Sequence, residues 1–243
     1  MDKILFFIVI LLANIIQGIT GFAGTILAMP PSLILVGYSV AKPILNVLGT
    51  LSGIYVFFTH GKHVDWKEVK KIVCVMSIGI LGGILLKSAF SGEEAILYKC
   101  LGIFVIFLAV QGLFQVYRPI GEKKKRSQFS HFLLLLSSGI VHGMFVCGGP
   151  LLIGYLSQKI KEKNCFRATI STVWIVLNTL IMFDDIRQGM WGMENLKLLL
   201  YAIPFLFAGM FLGAKLYSRM SQKVFMIITY ILLVISGFSL FLK

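Results

Sequence analysis

Eight apolar runs divide the chain, at about residues 4–37, 43–59, 69–86, 96–117, 131–156, 168–183, 195–214 and 224–242, each bounded by charged residues. A helix needs roughly 20 residues to cross the hydrocarbon core of a bilayer, and most of these runs are close to that length. The pattern predicts an all-α integral membrane protein. Two runs do not read as plain helices, because glycine and proline interrupt them. The first carries Gly18, Gly21, Gly24, Pro30 and Pro31, and the fifth carries Gly139, Gly143, Gly148, Gly149 and Pro150.

The interrupted runs repeat. A shift of 125 residues, without a gap, superimposes Gly18 on Gly143, Gly24 on Gly149, Lys42 on Arg167 and Trp66 on Trp191. Several matches in one register, with matching run lengths around them, signal an internal duplication. The expected organisation is a first membrane repeat over 1–117, a basic cytoplasmic linker over 118–130 and a second membrane repeat over 131–243.

Composition narrows the class further. The chain is 58% apolar and 14% charged, whereas soluble domains are roughly 45–50% apolar and 25% charged, so an ordinary cytoplasmic enzyme is excluded. The net charge of +13 sits in short connections between apolar runs, which reads as membrane topology and not as a nucleic-acid surface. The apolar start of the chain lacks the basic n-region of a signal peptide and is expected to be retained. Four scattered cysteines, Cys74, Cys100, Cys147 and Cys165, form neither a disulfide framework nor a zinc spacing.

The charges also select a topology. If runs one and five each crossed once, Lys and Arg would divide 13 to 10 between the two sides. If each dips in and returns as a hairpin of half-helices, the connections at 60–71, 118–130, 157–167 and 215–223 share one side and hold 16 basic residues, leaving 7 for the other. The positive-inside rule favours the hairpins, with the 16-residue side cytoplasmic and both termini extracytoplasmic. Each half is then one re-entrant hairpin plus three transmembrane helices. An odd number of crossings makes the second half inverted relative to the first, an arrangement found in transporters. The expected location is the cell membrane, as a multi-pass protein.

Non-helical backbone survives at membrane depth only where protein or a water-filled cavity covers it. The breaks at Gly21-Phe22-Ala23-Gly24-Thr25 and Val146-Cys147-Gly148-Gly149-Pro150 are therefore the candidate substrate site. The helix that starts after each break presents free N–H groups and the positive end of its dipole, which attract anions. Pro150 suits a first helical turn. Against this stands the reading that the glycines only permit close helix packing. Gln17 and His142 superimpose one residue before the shared glycine and are candidate substrate contacts or interhelical bonds. Asn46 and Ser171 superimpose as candidate donors to oxyanion oxygens, with Thr50, Thr169, Thr172 and Asn178 nearby. Lys42 and Arg167 either snorkel to the interface or form vestibule cations that draw an anion inward. Cys147 reads as a small buried apolar residue or as a redox centre. Asp184 and Asp185, beside Arg187, read as a solvated outer turn. His60 and His63 lack a third metal ligand, and no nucleotide loop or nucleophile elbow is present, so no enzyme activity, metal or cofactor is expected.

At the two breaks the chain resembles the TauE/SafE family of sulfite and organosulfonate exporters. The resemblance is carried by Gln17-Gly18-Ile19-Thr20-Gly21-Phe22-Ala23-Gly24 with Pro30, and by His142-Gly143-Met144-Phe145-Val146-Cys147-Gly148-Gly149-Pro150 with Arg167-Ala168-Thr169. It departs where members often carry three consecutive glycines, having one at Gly24 and two at Gly148-Gly149. The resemblance implies a small sulfur oxyanion, such as sulfite or a sulfonate, as substrate. Export of an anion is favoured by an interior-negative potential by about 2.3 kcal/mol per charge per 100 mV. Uptake would need a coupling ion, for which the apolar runs show no Asp or Glu. The expected partners are a small anion and the lipid bilayer, with nucleic acid excluded and a homo-oligomer left open. Two alternatives have different consequences: a noncatalytic membrane subunit or assembly factor, and a redox or sulfur-transfer protein built on Cys147.

Overall fold

The computed structural model describes residues 2–20, 23–90, 94–117, 127–160, 162–217 and 222–242. The basic linker therefore lies outside the described residues up to position 126. All regular structure among the described residues is helical. In chain order the helices are α1 (Asp2–Thr20), α2 (Gly24–Val36), α3 (Tyr38–His60), α4 (Trp66–Ala89), α5 (Glu94–Tyr117), α6 (Gln128–Phe145), α7 (Gly149–Lys159), α8 (Lys163–Arg187), α9 (Met193–Tyr217) and α10 (Gln222–Ser239), with short 3₁₀ turns at Gly61–His63 and Leu240–Leu242. Six of these, α1, α3, α4, α5, α8 and α9, are long and apolar enough to cross a membrane. Large apolar side chains such as Phe58, Leu85, Phe114 and Phe211 point outward, as a lipid-facing surface requires.

The hairpin arms are unequal, which differs from the paired half-helices expected. The first arms, α1 and α6, have 19 and 18 residues. The second arms, α2 and α7, have 13 and 11, or about 20 and 17 Å of helix, too short to cross about 30 Å of hydrocarbon. The break at 21–23 stands at the middle of the first run and that at 146–148 a little past the middle of the fifth, and α1 and α6 begin two and three residues ahead of their apolar runs, so the longer arm comes first in each half.

Helix contacts define the arrangement. Leu11 and Asn14 of α1 meet Gly209 of α9, and Ile15 and Gly18 meet Gly213, so α1 and α9 run parallel. Leu136 and Gly139 of α6 meet Gly79 of α4, and Ile140 meets Gly83, so α4 and α6 run parallel too. The other pairs run antiparallel: Gly49 and Gly53 of α3 meet Asn178 and Ile175 of α8, and Gly102 and Gly112 of α5 meet Gly237 and Tyr230 of α10. Under the 125-residue shift, the α1–α9 pair corresponds to the α4–α6 pair with the halves exchanged, and α3 and α5 correspond to α8 and α10. These crossings are close because glycine lines them. A Cβ at Gly18 would stand 2.5 Å from the Met210 carbonyl, and one at Gly143 2.5 Å from that of Ile80. The packing role of these two glycines is therefore real.

Each hairpin returns to its own starting face. Asn195, at the start of α9, donates to the Ser39 carbonyl at the start of α3 (3.2 Å). Because α1 is parallel to α9, α1 and α3 begin at the same end. At the opposite end, the Asp65 N–H before α4 donates to Thr169 Oγ1 near the start of α8 (3.0 Å), and α6 is parallel to α4. That second end gathers the connections at 60–71 and 157–167 with the start of α6: Tyr155 donates to Glu68 (2.6 Å), and His131 pairs with Gln158 (3.4 Å).

Candidate anion site between the hairpin breaks

Helices that begin in the connections carry conventional caps. Asp65, Ser127 and Glu162 each accept backbone N–H groups at the starts of α4, α6 and α8. The helices that begin at the breaks do not: the N-cap residues Ala23 and Gly148 offer no side-chain cap to α2 and α7. The first N–H groups of a helix have no intrahelical partner, so these two ends must be satisfied otherwise.

The two halves resolve this differently. Gln17, on the last turn of α1, accepts the Gly24 N–H at Oε1 (2.7 Å) and donates from Nε2 to Ser52 on α3 (2.9 Å). Ser52 in turn donates to the Gly49 carbonyl. The start of α2 is thus partly closed. His142 occupies the position equivalent to Gln17, yet it pairs through Nε2 with Asn178 Oδ1 on α8 (2.9 Å) and stacks obliquely on Trp174 at 4.7 Å. It leaves the start of α7 open. His142 Nδ1 is buried and has no partner.

A small cavity lies between the breaks, walled by Gln17, Thr25, Gly49, His142, Cys147 and Asn178, with Ile26, Val146, Gly149 and Trp174 completing it. It offers about 20 Å³ to the centre of a water-sized sphere, room for one or two waters. A second cleft, past Gln17, is bordered by Asn14, Gly24, Ser52 and their apolar neighbours. The turn into α7 is made by Val146, whose φ of 57° and ψ of 26° are left-handed. A β-branched residue pays in strain for that conformation. The equivalent residue of the first half is Gly21.

The residues singled out from sequence fall in several places. Gln17, Thr25, His142, Val146, Cys147 and Gly149 share the cavity wall, and Gly24 borders the second cleft. Ala23 is the buried N-cap of α2. Gly148 is pressed against the Ser138 carbonyl, which a Cβ would approach to 2.3 Å. Asn46 donates to the Asn178 carbonyl (2.9 Å) with its own Oδ1 unpartnered. Ser171 is buried where α8 meets Gly53. Gly21 and Phe22 lie outside the described residues.

Lys42 and Arg167 differ although equivalent by sequence. Lys42 is 1% exposed and its Nζ lies 2.5 Å from Asp185 Oδ1 and 3.9 Å from Asp184 Oδ2. Asp184 also binds Arg187 (3.2 Å) and accepts from Gln188. The solvated turn expected there is instead the last part of α8, with Asp185 fully buried. The apolar run ends at residue 183, but the helix continues through Arg187, and Lys42 compensates the charge. A buried carboxylate is thus present where none was expected. Arg167 sits at the basic end, half-buried, with its Nε buried and unpartnered. The positions equivalent to Asp184 and Asp185 are Thr59 and His60, so no carboxylate from that pair meets it. Trp174 and Gly49 are cavity residues that sequence reasoning missed; their positions on helices α8 and α3 facing a break carry no local motif.

A family model described as "Sulfite exporter TauE/SafE" matches residues 6–240. The chain is also 23% identical over 182 residues to the protein described as "Probable inner membrane transporter protein TsaS" of Comamonas testosteroni, covering 74% of this chain and 73% of that protein. No solved structure matches the chain.

Proposed function

The chain belongs to the TauE/SafE family, and from that membership we propose that it exports a small sulfur oxyanion, held between the hairpin breaks at the open start of α7. It is a multi-pass membrane transporter. The observation that carries the binding mode is the inequality of the two breaks: Gln17 occupies a donor of α2, whereas α7 has no cap and Gly149 faces the cavity. Uncapped N–H groups and a helix dipole together favour an anion there.

Alternating access between inverted halves accounts for movement. The antiparallel α3–α8 and α5–α10 pairs support reading the halves as inverted copies, and the cavity lies where α3 and α8 meet both breaks. The end that holds the basic connections at 60–71 and 157–167 is assigned to the cytoplasm, so an interior-negative potential drives the anion outward. The cavity is too small for sulfite as it stands, which fits a closed intermediate.

The test is thermal stabilisation of the purified protein by sulfite or a sulfonate but not by chloride, followed by efflux from loaded proteoliposomes under a potassium diffusion potential. Stabilisation by sulfite and efflux that rises with inside-negative potential are expected. Equal response to chloride, or uptake that stops on collapse of a proton gradient, overturns the proposal. A second reading, proton-linked movement, rests on the buried Asp185. In it, efflux responds to a pH gradient at clamped potential and Asp185→Asn abolishes that response.

A further inference from the structure

We infer that His142 makes the site selective for a singly charged oxyanion that carries one O–H, such as hydrogensulfite, over anions that offer acceptors alone. The inference rests on the transport reading above and assigns the protonation state of its substrate.

Asn178 Oδ1 can only accept, so the 2.9 Å contact places the proton of the neutral imidazole on Nε2. Nδ1 then presents a lone pair. It is buried and unpartnered on a residue that is 2% exposed and lines the cavity. A second orphan belongs to the same seam: Asn46 binds the Asn178 carbonyl through Nδ2, while its Oδ1 is a buried acceptor without a donor. Buried polar groups are rarely left unpaired, and each orphan asks for an explanation. Both orphans lack hydrogen, and of the two it is His142 that lines the cavity, where a ligand that brings one O–H satisfies Nδ1.

The alternative polarity, an imidazolium donating from Nδ1 to a dianion, places a second positive charge in the neighbourhood of Lys42 with no carboxylate of its own. The groups around His142 are Lys42 and Tyr38 from α3, with Lys42 held by Asp185 of α8, and the Cys147 thiol in the break. Helix α4 contributes Met76, Gly79 and Ile80 to α6 and no titratable group at this crossing. A buried unpaired charge is expensive, so the neutral ring is the form that this packing admits. The bound anion then turns its charged oxygens toward the first turn of α7 and the Thr25 hydroxyl, and its O–H toward Nδ1.

The test compares sulfite with methanesulfonate, a monoanion with no O–H, on the purified protein by calorimetric titration across pH. Sulfite affinity, in total sulfite, is expected to fall about tenfold per pH unit above the second ionisation of the anion. Methanesulfonate is expected to bind about ten- to hundredfold more weakly than hydrogensulfite, because it leaves the acceptor unpaired, and to show no pH dependence. His142→Phe should reduce hydrogensulfite to the level of methanesulfonate, while His142→Gln, which retains an acceptor oxygen, should keep the preference. Equal binding of the two anions, or methanesulfonate binding that strengthens in acid, overturns the assignment of His142 alone. Failure of every sulfur oxyanion to bind overturns the transport reading and this one with it. The wild-type comparison stands even if the variants do not fold.

Discussion

Removing either partner of the Lys42–Asp185 pair isolates a charge at the α3–α8 contact, and the size of the effect follows from burial. Both residues are at most 1% exposed, with Nζ and Oδ1 2.5 Å apart. Deleting one partner of such a pair costs about 3–5 kcal/mol. Asp184 lies 3.9 Å from Nζ and softens the loss when Asp185 is the one removed, so Asp185→Leu belongs at the lower end and Lys42→Met at the upper. At about 2–4 °C per kcal/mol for a chain of this size, the single variants should melt roughly 6–20 °C below the parent in detergent. The double variant should recover most of that loss. Asp185 Oδ2 has no partner even in the intact pair, and apolar replacement of an imperfectly satisfied ion pair is often neutral or stabilising. The assay is a double-mutant cycle on melting temperature, with a coupling of at least about 2 kcal/mol expected. Single variants within about 2 °C of the parent, or losses that simply add, would falsify the claim that the charges compensate one another across the two halves.

Three further outcomes are expected. Gly143→Ala and Gly213→Ala should each destabilise by about 1–3 kcal/mol through overpacking, since their Cβ atoms would sit 2.5 and 2.2 Å from carbonyl oxygens of the facing helix, whereas Gly82→Ala, whose Cβ would meet Ile140 Cγ1 at an ordinary contact distance of 3.8 Å, should be tolerated; equal melting temperatures for all three would contradict the close crossings. Gln17→Leu leaves the Gly24 N–H without its acceptor and Ser52 Oγ without its donor and should cost about 1–3 kcal/mol, read by thermal melting, with no loss pointing to water in place of the side chain. At the membrane surface, N–H bonds from Asn164 and Cys165, aided by His63 and His60, hold the exposed Glu162 carboxyl below its usual range. A depressed folded value stabilises the start of α8 at pH above the ordinary carboxylate range, and that support disappears as pH falls through the folded value. Amide exchange at Asn164 and Cys165, corrected for its intrinsic pH dependence, should show protection falling in acid, and Glu162→Gln should remove this dependence.

The helices were legible because their signals are local. Adding 125 to the bounds of α1, 2 and 20, gives 127 and 145, against 128 and 145 for α6; the same shift carries α3 from 38 to 163, where α8 begins. Run length, glycine and proline carry that information without tertiary context. The unequal arms were less legible, since hydropathy does not fix how far a helix extends beyond its apolar stretch, and α1 and α6 both begin ahead of theirs. At the site, Gln17 and His142 were recognisable as equivalent polar residues, but their opposite uses were not. That divergence depends on partners about 35 residues away on α3 and α8, Ser52 and Asn178, whose own equivalents are Leu177 and Gly53. Asp185 was misread for a related reason: its neutralising lysine lies 143 residues earlier.

The exchange of partners between the halves also bears on the order in which the chain can assemble. Helix α1 ends at Thr20, but α9, whose glycines receive it, begins at Met193. At 5–20 residues per second of synthesis, α1 waits roughly ten to thirty-five seconds in the bilayer before its partner exists. Its glycine-bearing face is therefore without its final contact through most of translation, although Gln17 meets its partners Gly24 and Ser52 early. Helix α4 likewise awaits α6. Neither half can finish its own packing first, so insertion of the helices and their consolidation into a transporter are separate events in time, and the second must follow release of nearly the whole chain.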